Sequence, residues 1–439
     1  MASVLESPLS ALRSEARAPS LRSSFTWTLA GNIVYSACQW GMISALAKLG
    51  NAALVGSFAL GLAITAPIFM FTNFQLRGVQ ATDARSQFDF ADYFTLRLMT
   101  TFAGLLLVGC VALAGGFDPV TAAVILLVGI SKAIESLSDV VAGLLQKMER
   151  LDRVAISLML RGVGSLVSFA LVFWSTRSLP AAVCALVVVW AAVFLLYDLY
   201  QMHGCAPGTH RLPGLRWNRL KTLARLSMPL GIVMTMLSLN VNIPRFILQH
   251  YGGAEEVGIF SSLAYLLVSV NLVVNAMGQA AITRLAGLFS AKEFSAFSVL
   301  LLRLSGLGAL ILFAGIPLAF GYGRTLLTLL YRPAYGEHTR TLAILVACAA
   351  LGGVNYFVTC GLTAARSYRA QVPVILFSTI TVTLSGAFLV PCFRMDGAAL
   401  SLLLSSILLL IGNSCALRRR LQAVRRFPWG TGSEEPPEA

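Results

Sequence analysis

The chain has 439 residues, of which 57% are hydrophobic and only 12% charged, and its formal net charge is +14. An ordinary soluble domain carries about 25% charged residues, so this composition excludes an aqueous globular fold. The positive charge does not point to nucleic acid either, because the 33 Lys and Arg are scattered between apolar runs and make no continuous basic face.

Residues 1–24 are rich in Ser, Ala and Arg and lack an apolar stretch followed by a small-residue cleavage site. They read as a cytoplasmic segment without a removable signal peptide, the first membrane helix serving as its own insertion signal. From there on, apolar runs repeat at the length a membrane helix needs, about 20 residues for a hydrocarbon core of roughly 30 Å. They fall at 25–47, 53–76, 93–115, 119–145, 155–175 and 180–200, then at 227–249, 257–283, 295–320, 339–363, 371–391 and 396–416. The spacing predicts about twelve transmembrane helices. The run TLLTLLY at 325–331 is too short to span and is followed by Arg332 and Pro333, so it reads as an interfacial segment.

An even number of crossings puts both termini on one side, and the basic residues say which. Most Lys and Arg flank one set of helix ends. Lys48, Arg177, Arg245, Arg324, Arg332, Arg340 and Arg394 flank the other, and Lys132 alone lies deep in a span. The expectation is a bacterial inner-membrane protein with both termini cytoplasmic. The eight Cys lie mostly inside apolar runs without CxxC or Cys/His clustering, which reads as small buried hydrophobes rather than a metal site or disulfide framework.

Five units are expected: an N-terminal segment (1–24), a six-helix bundle (25–200), a basic cytoplasmic loop (201–226), a second six-helix bundle (227–416), and a tail (417–439) that is basic and then disordered. Residues 50–73 align without gaps with 252–275, with identities at Gly50/Gly252, Ala52/Ala254, Val55/Val257, Gly56/Gly258, Phe58/Phe260 and Asn73/Asn275. Both blocks cover the loop and second helix of a half. Halves offset by an even number of helices are parallel repeats, with a central cleft at their interface as the expected site.

Three stretches carry a family resemblance: FTWTLAGNIVYSACQWGMISALAKLGNAALVGSFALGLAITAPIFMFTNFQLR at 25–77, NIPRFILQHYGGAEEVGIFSSLAYL at 242–266, and LLTLLYRPAYGEHTRTLAIL at 326–345 followed by GLTAARSYRAQ at 361–371. With these the chain resembles the Wzx-type polysaccharide flippases of the multidrug/oligosaccharidyl-lipid/polysaccharide exporter superfamily. The resemblance implies an all-α, MATE-like fold of two parallel six-helix bundles around a central cavity. It also implies a cargo, an undecaprenyl-diphosphate-linked oligosaccharide flipped from the cytoplasmic to the periplasmic leaflet for O-antigen, capsule or exopolysaccharide synthesis. Membrane lipid and other polysaccharide assembly proteins are the partners it implies.

Such a cargo is anionic and large, and asks for buried cations and hydrogen-bonding groups in a wet cavity. The fourth run, VTAAVILLVGISKAIESLSDVVAGLL, puts Lys132, Glu135 and Asp139 on one helical face. A charge at mid-membrane costs about 2.5–3.5 kcal/mol on insertion scales, so these groups face a cavity or neutralise one another. One reading gives Lys132 the phosphates and Glu135 or Asp139 a coupling proton. The other is a structural Lys132–Glu135 ion pair with Asp139 near the inner surface. Arg245 follows Asn240, Asn242 and Pro244, where a proline opens backbone toward a ligand. It is a cargo contact in one reading and snorkels to the interface in the other. Arg161 reads as a topology anchor. Gln39, Asn73, Asn242 and Asn275 suit sugar hydroxyls, with interhelical hydrogen bonding as the alternative.

There is no G-x-x-x-x-G-K-[ST] loop, no Ser/His/Asp constellation and no metal cluster in the sequence. The expectation is therefore a transporter and not an enzyme, without cofactor or metal, driven by a proton or sodium gradient. The rivals are a multidrug/cation antiporter of the same superfamily and a membrane glycosyltransferase or polymerase.

Overall fold

The computed structural model describes residues 21–83, 87–205, 216–365, 367 and 369–426. Among these all regular structure is helical: α1 (Leu21–Leu49), α2 (Ala52–Thr72), α3 (Leu76–Thr82), α4 (Phe90–Ala114), α5 (Pro119–Lys147), α6 (Leu151–Thr176), α7 (Leu179–Val193), a π-turn (Phe194–Asp198), α8 (Leu199–Cys205), α9 (Trp217–Leu266), α10 (Val268–Ser290), α11 (Phe294–Leu330), a 3-10 turn (Pro333–Glu337), α12 (Thr339–Ala364) and α13 (Gln371–Arg426). Nine helical stretches among the described residues are long and apolar enough to cross a membrane, and the chain is a multi-pass membrane protein.

The helices start where side chains satisfy their free N–H groups. Asn51 accepts from Leu54 N at 2.9 Å before α2. Asp118 accepts from Val120 N and Thr121 N, both at 3.0 Å, before α5, whose first residue is a proline. A capping box of Asp89 and Asp92 opens α4.

Two helices are long enough to cross twice and each is broken once. In α9 (50 residues) the break is Gly253, at φ 74°, a left-handed conformation open to glycine. In α13 it is Arg394, at φ 52°. The breaks meet: Arg394 donates to the carbonyl of Tyr251. The expected span at 257–283 is divided at Leu267 between α9 and α10. The segment at 325–331, expected to stand apart, extends α11 to a 37-residue helix. No proline between Pro317 and Pro333 removes a backbone donor, and Leu327 and Tyr331 are buried.

The two ends of the bundle differ. At one end Arg177 donates to Leu49 O, Arg332 to Lys48 O, and Trp40 Nε1 to the Tyr331 hydroxyl at 3.0 Å, which itself donates to Ser262 O at 2.9 Å. Here one apolar core joins both halves, with Met42, Leu46, Val55 and Phe58 packed among Leu248, Val257, Phe260, Tyr331 and Leu342. At the opposite, basic end the apolar packing splits. One cluster holds Ala281, Leu285, Phe297, Val358 and Leu417, and another holds Val141, Leu145, Val154 and Phe194. The first turns of α9 strap the earlier helices there through Leu220 and Leu223, and Arg219 pairs with Asp89 and Asp92 at 3.0 and 3.1 Å.

The shared end is sealed on the sequence repeat itself. A Cβ on Gly56 would stand 1.7 Å from Ala254 O, and one on Gly258 would stand 1.9 Å from Ala52 O. Gly56/Gly258 and Ala52/Ala254 are repeat equivalents, so α2 and the second part of α9 cross on a local two-fold axis at backbone contact. Only glycine permits that approach.

Candidate functional site between the two halves

Lys132 sits about midway along α5, and its Nζ donates to Glu135 Oε2 at 2.6 Å. The two side chains keep 26% and 35% exposure, so the pair borders open space rather than core. Around it are Tyr35 of α1 and Trp190 of α7, whose ring centroids lie 6.4 Å apart. The Lys132 ammonium lies 5.9 Å from the Trp190 ring and the Arg161 guanidinium 5.5 Å from it, both within cation–π range. Trp190 is held by a 2.8 Å bond from Nε1 to Ser165 Oγ.

Arg161, expected at the membrane edge, is buried and donates to Ser157 Oγ at 3.0 Å. Its counter-charge is Asp198, buried in the π-turn that ends the sixth apolar run, which accepts from Ser138. An arginine four residues after a serine on one helix can bond within its own helix, which a flank count does not see.

Asp139 turns away from Lys132. It is shared by Arg77 at 3.4 Å and Arg97 at 3.1 Å, and Arg97 is fully buried. The three charges expected on one face therefore divide into a neutral Lys132–Glu135 pair and an Arg77–Asp139–Arg97 triad with net positive charge.

In the second half Arg245 is buried on α9. Its guanidinium donates to Asn242 Oδ1 at 2.9 Å, Val241 O at 3.1 Å and Ser261 Oγ at 3.2 Å, and lies 6.0 Å from the Phe260 ring. All three hydrogen-bond acceptors are neutral, so the fork is fixed while the charge is left uncompensated by hydrogen-bonded carboxylate. Asn242 is occupied in orienting it, donating to Ser238 O at 2.9 Å.

Tyr265, near the end of α9, is partly buried against the shared core and contributes to the electrostatic environment of both Lys132 and Arg245. Sequence reasoning passed over Tyr265, Tyr35 and Trp190. Their only signal was depth: each stands several turns from the ends of its apolar run. Gln39 lies one turn from Tyr35 and hydrogen-bonds it. Asn73 caps α2 and accepts from Ser136, beside the Asp139 triad and away from Arg245. Asn275 is on α10 and its side chain lies outside the described ones.

Several solved structures share this fold over nearly the whole chain. An inward-facing multidrug resistance MATE family transporter of the MOP superfamily superposes with TM-score 0.65 at 14% identity, over 92% of this chain and 96% of that one. The lipid II flippase MurJ in its inward closed conformation superposes with TM-score 0.72 at 8% identity, over 92% and 93%. In sequence, the chain is 27% identical over 392 residues to the capsular polysaccharide biosynthesis protein CapF of Staphylococcus aureus, spanning 88% of this chain and 97% of that protein. No family model matches the chain.

Proposed function

We propose that the protein flips a polyprenyl-diphosphate-linked oligosaccharide from the cytoplasmic to the periplasmic leaflet of a bacterial inner membrane, for assembly of a capsule-like polysaccharide. The observation that carries this reading is a cation within the apolar spans of each half, Lys132 on α5 and the buried Arg245 on α9, the second held by neutral acceptors alone. Two cations suit a diphosphate, and a buried guanidinium with neutral acceptors is a stronger anion site than one already ion-paired. Tyr35 and Tyr265 offer aromatic faces and hydroxyls for the sugars, as does the Gln39 amide. The relation in sequence to a capsular polysaccharide biosynthesis protein supports the cargo class, and the MurJ-like fold supports a lipid carrier.

In this account the basic end faces the cytoplasm and both termini lie on that side. The glycine-sealed end closes the periplasmic exit, and the headgroup loads from the basic end while the lipid tail stays in the bilayer. Glu135 and Asp139 are the carboxylates proposed to couple a proton or sodium gradient. Glu135 is tied to Lys132, and moving that cation onto phosphate frees the carboxylate to take up a proton or sodium ion, while Asp139 is held by both Arg77 and Arg97.

The test is the leaflet in which the lipid-linked oligosaccharide resides in a deletion strain. Cytoplasmic accumulation, rescued by the wild-type chain but not by Lys132→Ala or Arg245→Ala at equal expression, is expected. Normal periplasmic delivery without the protein rejects the reading and returns the multidrug antiporter.

A further inference from the structure

Where α2, α4 and α5 meet near the basic end, four buried side-chain polar atoms have no hydrogen-bond partner: Arg97 Nε, Arg97 Nη1, Thr101 Oγ1 and Thr72 Oγ1. Arg97 is fully buried and makes a single bond to Asp139 through its other nitrogen, Nη2, leaving two charged donors empty. An unpaired charged donor in the interior is among the most costly groups a fold can keep.

The two threonines sharpen the point. Helical threonines elsewhere in the chain return their hydroxyls to the preceding turn, as Thr65 does to Gly61 O at 2.8 Å and Thr95 to Ala91 O at 2.7 Å. Thr72 and Thr101 do not, so both hydroxyls remain free to donate elsewhere.

Arg97, Thr101 and Gly104 follow one another at helical spacing on one buried face of α4. Arg97 and Thr101 are i, i+4 neighbours on this buried face of α4. Gly104 faces Thr72, whose Oγ1 lies 3.1 Å from the position a Cβ there would take. Asp139, the acid against this face, is already shared with Arg77, so the local charge is positive.

We propose that this cluster of unpartnered donors binds one small monovalent inorganic anion of the halide class, held by Arg97 Nε and Nη1 and by the hydroxyls of Thr101 and Thr72. Water satisfies the geometry of such donors but not the excess positive charge. The site lies on the α2–α4 seam, apart from Lys132 and Arg245, and touches the proposed coupling group Asp139 only through the Arg97 ion pair.

Bromide exchanged for chloride in crystals of the full chain tests it directly, because bromide scatters anomalously and water does not. An anomalous peak within hydrogen-bonding reach of Arg97 and Thr101 is expected. In solution, replacing gluconate by chloride at constant ionic strength raises the wild-type melting temperature by a few degrees through ligand linkage. That shift is lost in Arg97→Gln and weakened in Thr101→Val, a variant that keeps the Arg97–Asp139 pair and so stays informative if Arg97→Gln does not fold. A water without anomalous signal, or a wild-type melting temperature indifferent to chloride, overturns the proposal.

Discussion

Arg245 shows how a single charge is kept ready at the centre of a membrane protein. Three neutral oxygens hold its fork, so its position is set before a ligand arrives and its charge is not spent on a carboxylate. In the proposed function the Tyr265 hydroxyl donates to the diphosphate, which makes a charge-assisted hydrogen bond. Such bonds contribute about 1.5–3 kcal/mol. Tyr265→Phe is therefore expected to weaken binding of a soluble polyprenyl-diphosphate analogue by roughly tenfold or more, with the fold unchanged, as titration calorimetry reads. Outside the membrane, a hydrogen bond from Arg216 holds the Asp89 carboxyl below the usual carboxylate range. A depressed carboxylate contributes stability that is present above its unfolded pKa and lost as pH falls through its folded value. Being half exposed, Asp89 contributes at most about 1 kcal/mol. Acidification should therefore first loosen the start of α9 from α4, seen as faster proteolysis near Arg216, and Asp89→Asn should abolish that pH dependence.

At the scale of elements the crossing of α2 with the second part of α9 controls the seal. A Cβ on Gly56 cannot be accommodated at 1.7 Å from a backbone oxygen, so the helices must part. Gly56→Ala is expected to destabilise this state by about 1–3 kcal/mol, the usual cost of overpacking. Gly61→Ala, where the added carbon would stand 3.4 Å from Val128 in ordinary contact, should be neutral or mildly stabilising. Thermal melts of the two variants provide the comparison. This crossing was legible in the sequence, because the repeat identities fall on the contact residues themselves. The break at Gly253 was also legible as a Gly-Gly pair. The break at Arg394 was not, since an arginine in left-handed conformation carries no local signal and is held by its bond to Tyr251.

For the molecule as a whole, apolar run length revealed a polytopic helical chain. The asymmetry of its ends was hidden, because apolar residues look alike whether they join the halves or serve one of them. Only contacts show that Met42 and Phe260 share a core while Val154 and Leu417 do not. The same limit explains the site. Lys132 and Arg245 announced themselves as charges in apolar runs, but the neighbours each one finds depend on how the helices pack. Flipping through the seam between the two halves is the central claim. Purified protein reconstituted in liposomes containing a fluorescent polyprenyl-diphosphate oligosaccharide tests it, with a membrane-impermeant quencher reporting the leaflet. Wild type should expose lipid from the inner leaflet to the quencher within the assay while Arg245→Ala and protein-free liposomes do not. Equal protection of that pool with and without correctly folded wild type would contradict the account.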